Sequence, residues 1–461
     1  IGYDELTYEL SGMECRALTS SELSTADRII SLFDALGLQR VHVLACASAD
    51  WGDLITHHPQ RLQSIAVVAP HLNQGIPAAA RDFGSPSLVV AGDQGVPAER
   101  ARTLADSLSG SALELLPGYE SPMWADTAAD CTDDLERCLL AFWEATEQPG
   151  QAPMMPITEG SGEVSGIRYR IEGNGPPIVL LPLSLAPSQW EPLVARIKDK
   201  YSIITLGGAH LGAVALLEGR ARSGYGELIS ELLELTRIAE DETILEVGCG
   251  SGALARELAR KTCYRNKVTA SDLNPYLLTE ARRLAVGSMA ETVVNFEQAN
   301  AEELPFDNAV FDVSISSTVM EEGNADRMIA ELARVTRPAG RVLTVVRATD
   351  VDWWANLPLS RELLRSINAL GPKTGAGVGQ GGCADSSVYD RLIAANLKPL
   401  NLGPRFAFYR SGDRLRDVLG RLGGALPEDA RSEFEAAVEL ARSRGTLSVG
   451  EPFHCAISIA E

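Results

Sequence analysis

The sequence of 461 residues is 45% hydrophobic and 22% charged, which excludes a disordered chain and predicts two or three folded domains. Its 62 acidic against 41 basic residues give a formal net charge of -21; that field repels nucleic-acid phosphates and anionic membrane surfaces and leaves small neutral or cationic molecules as the expected partners, although part of the excess serves solubility alone. Eight cysteines (15, 46, 131, 138, 249, 263, 383 and 455) form no C-x-x-C pair and no apolar run reaches the roughly 20 residues of a bilayer span, so no metal is expected and a cytoplasmic location is.

Residues 1–148 alternate helix-like and strand-like segments. An amphipathic helix is predicted over Leu23–Leu36, closed by Gly37, and a buried strand over Val41–Leu44. Apolar runs at Ser64–Ala69 and Ser87–Ala91 and a helix over Cys131–Ala145 complete the rhythm of a parallel sheet with crossover helices. From Glu147 the composition turns to Pro, Gly, Gln and Ser (EQPGQAPMMPITEGSGE), which predicts an interdomain linker over 149–163. The next block, 164–215, offers strands at Ile167–Ile171, Pro177–Leu183 and Tyr201–Leu206, with a helix near Trp190–Lys198. A start at Ile1 and not at Met leads to the expectation that the sequence begins inside a longer natural chain.

The stretch LFDALGLQRVHVLACASADWGDLITHHPQRLQSIAVVAP resembles α/β-hydrolases across the strand, the elbow and the following helix. That resemblance implies a nucleophilic Ser in a G-x-S-x-G turn. The matching pentad is Ala45-Cys46-Ala47-Ser48-Ala49, with Ala47 in the nucleophile slot and both glycines gone. LPGYES resembles the family's L-P-G-x-G-H, so Ser121 stands where the catalytic His belongs, while Gly92-Asp93-Gln94-Gly95 keeps an Asp near the place of the acid. One triad member of three cannot activate a nucleophile. Residues 1–148 are therefore expected to be a degenerate, non-catalytic hydrolase-like domain for binding or assembly, with Trp51 and Trp124 as contact aromatics and a homo-oligomer through this half left open. The competing reading is a displaced nucleophile, Ser48, with His57 or His58 as base. DELTYELSGMEC resembles the family's fourth strand, so three strands are missing ahead of it; Gly166–Gly212 resembles the opening strands, either as a second degenerate copy or as the part that completes the first sheet.

After Gly226–Leu235 the pattern changes again. Ile244–Val247 predicts a strand running into a glycine turn and Ala253–Arg260 the helix leaving it. Val268–Ser271, Val293–Phe296, Val310–Ser316 and Arg341–Val346 add strands at βα spacing, which predicts an open, doubly wound, Rossmann-like α/β domain. The turn reads Glu246-Val247-Gly248-Cys249-Gly250-Ser251-Gly252; its G-x-G-x-G spacing differs from the dinucleotide fingerprint G-x-G-x-x-G and disfavours a pyrophosphate ligand. Asp272 follows Gly248 by 24 positions at the end of the next strand, where a carboxylate can take both hydroxyls of a ribose. Alone, a glycine turn also serves close packing and a strand-end Asp also caps helices. It is the ordered set, with Asn300-Ala301-Glu302-Glu303-Leu304-Pro305-Phe306 and then Phe311-Asp312, that points to a ligand.

This set resembles class I S-adenosylmethionine-dependent methyltransferases, particularly the branch that includes ubiquinone and menaquinone biosynthesis enzymes, over about Gly226–Glu461. The resemblance implies a methyltransferase domain over 216–461 with S-adenosyl-L-methionine as cofactor. It implies that Glu246, Gly248, Cys249, Gly250 and Gly252 face the methionine part, that Asp272 binds the ribose with Leu273 against the adenine, and that Asn300, Ala301 and Glu302 belong to the adenine-side segment. Asn300 replaces the Asp of the usual G-D-A-x-x-L-P-F, and its amide oxygen can still accept the adenine amino group. Val319-Met320-Glu321-Glu322 matches a pattern that often ends in His. Glu322 and Glu321 are the candidate bases for an acceptor that arrives protonated, with His210 and Asp352 behind them. An insertion over about 352–400, opening on Asp352-Trp353-Trp354, stands where the family places substrate lids, and its Trp pair either lines an apolar pocket or belongs to the core. The expected function is methylation of a small molecule, a specialised metabolite. The alternatives are cyclisation or rearrangement on the same fold, a bifunctional hydrolase/methyltransferase, and a silent scaffold.

Overall fold

Val41–Ala47 (VHVLACA) forms strand β1, buried along its whole length in the computed structural model, which describes residues 23–72, 76–120, 126–146, 157–370 and 378–461. The chain divides into two units, Ile1–Leu216 and Leu217–Glu461. In the first, β1 shares a sheet with β2 (Leu62–His71), β3 (Ser87–Gly92), β4 (Ala112–Leu116), β5 (Gly160–Val164), β6 (Ile167–Glu172), β7 (Pro177–Leu180) and β8 (Ser202–Gly207). Their order is β4-β3-β2-β1-β7-β8-β6-β5. A strand covered on both faces must be apolar on both, and β1 is. Val43 and Ala45 pack with Ile29, Phe33 and Trp51 on one side, and Leu44 and Cys46 pack with Leu139, Trp143 and Trp190 on the other.

β1 pairs in parallel with β2 on one edge and with β7 on the other, where His42 faces Ile178 and Leu44 faces Leu180. The strands of 164–215 and those of 1–148 thus share one sheet. The linker expected over 149–163 is corrected at its end, because Gly160–Val164 is β5, paired to β6 across the two-residue turn Ser165-Gly166. Both turn residues have positive φ, 51° and 78°, the left-handed pair that suits a right-twisted hairpin. The Gly and Ser content that reads as linker belongs here to an exposed edge strand.

In the second unit, Ile244–Val247 forms β9, fully buried, between β10 (Val268–Asp272) and β12 (Phe311–Ser317), parallel to both. With β11 (Val294–Gln298), β13 (Thr336–Arg347), β14 (Trp354–Ala355) and β16 (Val449–Ala460) the order is β11-β10-β9-β12-β13-β16-β14, and β15 (Leu397–Tyr409) also pairs with β16. β16 runs antiparallel to β13 and to β15. Chain order reverses at β9, so the switch point lies at the carboxyl ends of β9 and β12, where open α/β sheets form the crevice that takes their ligands. Alternating side chains feed two layers, Ile244, Val313 and Leu343 in one and Leu245, Val247 and Val342 in the other.

The insertion expected over about 352–400 contains β14 and the helices Arg361–Leu370 and Ser387–Ala394, while residues 371–377 lie outside the described residues. Two further helices, Gly412–Gly424 and Glu428–Ser443, fall between β15 and β16; the sequence reading did not single them out. They send Leu415, Val418, Phe434 and Val438 into the same core as Trp353. Among the described residues no helix is long and apolar enough to cross a membrane.

Candidate functional site

β9 delivers the chain into Gly248-Cys249-Gly250-Ser251-Gly252, whose three glycines adopt φ of 76°, 54° and 74°. Side-chain-bearing residues are strained in that region, and space is short as well. A Cβ on Gly248 would stand 2.1 Å from a Val319 methyl, and one on Gly252 would stand 2.6 Å from the Phe296 ring. The turn is tied to β10 by backbone bonds from Gly248 and Cys249 N–H to the Ser271 carbonyl, at 2.7 and 2.9 Å. Asp272 closes the arrangement: one carboxylate oxygen accepts from Gly250 N–H (2.8 Å) and the other from Asn274 N–H (2.9 Å). Asn274 in turn caps the helix Pro275–Ala285.

The acid that precedes the turn is buried with one carboxylate oxygen unpartnered among the described residues. Glu246 is 3% exposed, and its Oε2 has no hydrogen-bond partner among the described residues. Burial, and next the charge of Asp272, push its carboxyl up to about 8, against the weaker pull of Arg256. Burial also raises Asp272, opposed by the N–H groups of Asn274 and Gly250, and raises the Cys249 thiol well above its ordinary range. A glycine cradle, an orphaned buried carboxylate oxygen and a second carboxylate beside it suit a ligand with a cationic amino group and a diol, and S-adenosylmethionine has both. Leu273, 63% exposed next to Asp272, offers an apolar face for a flat base.

The adenine-side residues are held together by their own hydrogen bonds. Asn300 Oδ1 turns back to accept from Glu302 N–H at 3.0 Å, which uses one of its two acceptor lone pairs. Glu302 fastens the segment to the next helix through Asn324 N–H (2.9 Å) and Arg327 (3.3 Å). Ala301 is half-buried between them.

The two candidate bases, Glu322 and Glu321, stand in different surroundings. Glu322 is exposed and its backbone bonds to Val319, whereas Glu321 is buried. Glu321 Oε1 accepts from Arg347 N–H at 2.8 Å and its Oε2 has no partner among the described residues; burial raises its carboxyl. Thr318, at φ 57°, turns the chain as it leaves β12 and carries Met320 and Glu321 inward. Asp352 is exposed, His210 belongs to the first unit, Trp353 is core, and Trp354 stacks edge-on against Phe408.

Sequence reasoning missed Glu218. Its buried carboxylate accepts from Ser251 Oγ (2.7 Å) and Arg256 (2.6 Å), bracing the middle of the turn from the helix Gly212–Ala221. No motif marks a partner so far upstream. Also unmarked were Arg220 and Tyr225, which reach Thr318 and Ser317 at the end of β12.

In the first unit, Ala47 ends β1 with relaxed backbone angles (φ -78°, ψ 130°) and Ser48, 3% exposed, opens the helix Ser48–His57. His57 and His58 stand at the other end of that helix, about 15 Å away for ten residues. His58 faces Asp27 at 3.4 Å. Asp93 accepts from Gly118 N–H; Ser121 and Trp124 lie outside the described residues. Trp51, expected as a contact aromatic, is fully buried, with Nε1 directed to the Cys46 carbonyl, because it fills the space between its helix and β1.

A family model described as a methyltransferase domain matches residues 244–340. The chain is 32% identical over 133 residues to the ubiquinone/menaquinone biosynthesis C-methyltransferase UbiE of Hahella chejuensis, covering 26% of this chain and 53% of that protein. It spans about half the length of the curated relatives it matches. Among solved structures it is similar to the YcgJ protein of Bacillus subtilis (17% identity, TM-score 0.34, 51% of this chain and 99% of that one). It is also similar to the geranyl diphosphate C-methyltransferase of Streptomyces coelicolor A3(2), solved with Mg2+, geranyl diphosphate and S-adenosyl-L-homocysteine (16% identity, TM-score 0.32, 51% and 80%).

Proposed function

We propose that this chain, whose second unit carries an S-adenosylmethionine-dependent methyltransferase domain, methylates a small molecule, a specialised metabolite, and that its first unit is a hydrolase-like module without catalysis. The single observation that carries the reading is the glycine turn closed by Asp272, with the orphaned Oε2 of Glu246 at its base. Bound there, S-adenosylmethionine supplies an electrophilic methyl group. Asp272 would hold the ribose diol and Glu246 would accept from the methionine ammonium. Leu273 would lie against the adenine, and Asn300, Ala301 and Glu302 would shape its edge.

The chain's own work is alignment and exclusion of water, because a sulfonium methyl needs no further activation. Glu321 takes a proton from an acceptor that arrives protonated, and burial raises its affinity for that proton. Glu322 has an outer, supporting place at the rim. The insertion after β13 and the two helices before β16 form the cover.

For the first unit, support comes from the identity of the residue at the elbow. Ala47 offers no oxygen to attack a carbonyl, and the strands that resemble a hydrolase's opening strands lie beside β1 in the same sheet. The unit then serves binding or self-association.

Mass spectrometry of candidate acceptors incubated with S-adenosylmethionine tests the transfer directly. A gain of one methyl group is expected, and an isomerised product of unchanged mass would replace this reading with cyclisation or rearrangement.

A further inference from the structure

Beside the glycine turn stands a half-buried guanidinium with no acid to match it. Arg220 donates from Nη1 to Thr318 Oγ1 at 2.8 Å, and its guanidinium carbon lies 3.7 Å from the centre of the Tyr225 ring and 5.7 Å from that of Phe453. Among the described residues, no carboxylate pairs with it. The buried acids nearby feel its charge but bind elsewhere. Glu451 accepts from Tyr409 Oη (2.6 Å) and from Arg414 (2.9 Å), and Glu321 accepts from the backbone of Arg347.

The position of this group matters as much as its isolation. Thr318 is the residue that follows β12, at the crevice end of the sheet, and Glu321 with its unpartnered oxygen is three residues further on. A guanidinium offers five N–H donors in a planar fork, of which the described residues use one. The rings of Tyr225 and Phe453, 5.0 Å apart and tilted by 58°, hold its plane and leave its edge for another group. An anion with two oxygens in one plane meets that edge with two parallel hydrogen bonds. The overall charge of the chain disfavours anions at long range, whereas a guanidinium attracts one at contact distance.

We propose that Arg220 receives a carboxylate on the methyl acceptor, so that the substrate class is a small carboxylic acid with an apolar or aromatic body. The proposal rests on the methyltransferase reading above. The probes are benzoate and its neutral counterpart benzamide, titrated calorimetrically into the full chain saturated with S-adenosylhomocysteine. The acid is expected to bind at least tenfold more tightly than the amide, Arg220→Gln to abolish that preference, and Arg220→Lys, which keeps the charge but loses the fork, to retain part of it. The Lys variant also decides the matter if the Gln variant does not fold. The affinity for S-adenosylhomocysteine itself is expected to stay within threefold in both variants. Equal binding of acid and amide by the wild type, or a preference that survives Arg220→Gln, overturns the proposal. A tenfold loss of S-adenosylhomocysteine affinity in the variants also overturns it, by giving the guanidinium to the cofactor's own carboxylate. Failure of the wild type to bind S-adenosylhomocysteine, read before any acid is added, would instead remove the methyltransferase reading and this proposal with it.

Discussion

Glu218 Oε1 accepts a 2.7 Å hydrogen bond from Ser251 Oγ, so a residue 33 positions upstream fixes the middle of the glycine turn. The same oxygen takes Arg256 at 2.6 Å, with side-chain exposures of 9% and 18% for the two partners. Breaking such a pair leaves a guanidinium partly buried without its acid, at a cost of about 3 to 5 kcal/mol. Glu218→Ala is therefore expected to lower stability by that amount in urea denaturation and to weaken S-adenosylhomocysteine binding. Glu218→Gln, which keeps an acceptor for Ser251, should lose less. A change below about 0.5 kcal/mol in the Ala variant would class the pair with ordinary surface ion pairs.

Gly248 has two separate reasons to be glycine, and they can be told apart. Its φ of 76° costs a side-chain-bearing residue about 1 to 2 kcal/mol. The clash with Val319 adds to that. Gly248→Ala should abolish measurable cofactor binding, and the double variant Gly248→Ala/Val319→Ala should recover part of the stability but not all of it. Full recovery would mean that crowding alone set the residue.

The proton held by Glu246 makes a pH prediction with a definite sign. Its carboxyl is raised from 4.5 to about 8, so between those values the folded chain retains a proton that the unfolded chain has lost. Stability without cofactor should fall as pH rises through that window, by at most about 1.4 kcal/mol per unit. Binding of an ammonium group favours the ionised carboxylate, so affinity for S-adenosylhomocysteine should improve from pH 6 to 8. In Glu246→Gln both slopes should flatten; unchanged slopes would assign them to other groups.

The first unit is expected to hydrolyse nothing. Short-chain nitrophenyl esters should stay at the buffer rate and a fluorophosphonate should leave the chain unlabelled, since Ala47 has no nucleophile and Ser48 is buried. Labelling that disappears in Ser48→Ala would establish a second active site.

Strand order also predicts how the chain can be cut. A fragment beginning at Leu217 keeps the whole second sheet and should fold and bind cofactor alone. A fragment beginning at Gly166 keeps β7 but removes β1, its parallel neighbour, and exposes an apolar edge. It should aggregate; a soluble monomer from that cut would show that β6 to β8 are stable without β1.

The glycine turn and the strands around it were legible because each depends on local pattern: apolar runs of strand length, then glycines where the backbone must turn tightly. What was not legible depends on long-range contact. Glu218 and Arg220 lie outside every motif, and only the fold brings them to Ser251 and Thr318. The burial of Glu321 and the exposure of Glu322 have the same origin, since which of two adjacent acids turns inward follows the left-handed turn at Thr318. Gly160–Val164 was hidden for a compositional reason: an exposed edge strand needs no apolar alternation, so it reads as linker.

The crevice beyond β9 and β12 is expected to hold S-adenosylmethionine, and calorimetric titration of the full chain with S-adenosylhomocysteine tests this most directly. Binding at one site per chain is predicted, with a loss of tenfold or more in Asp272→Ala, as expected for a charge-assisted contact of about 1.5 to 3 kcal/mol. Binding of NADH with none of S-adenosylhomocysteine would contradict it.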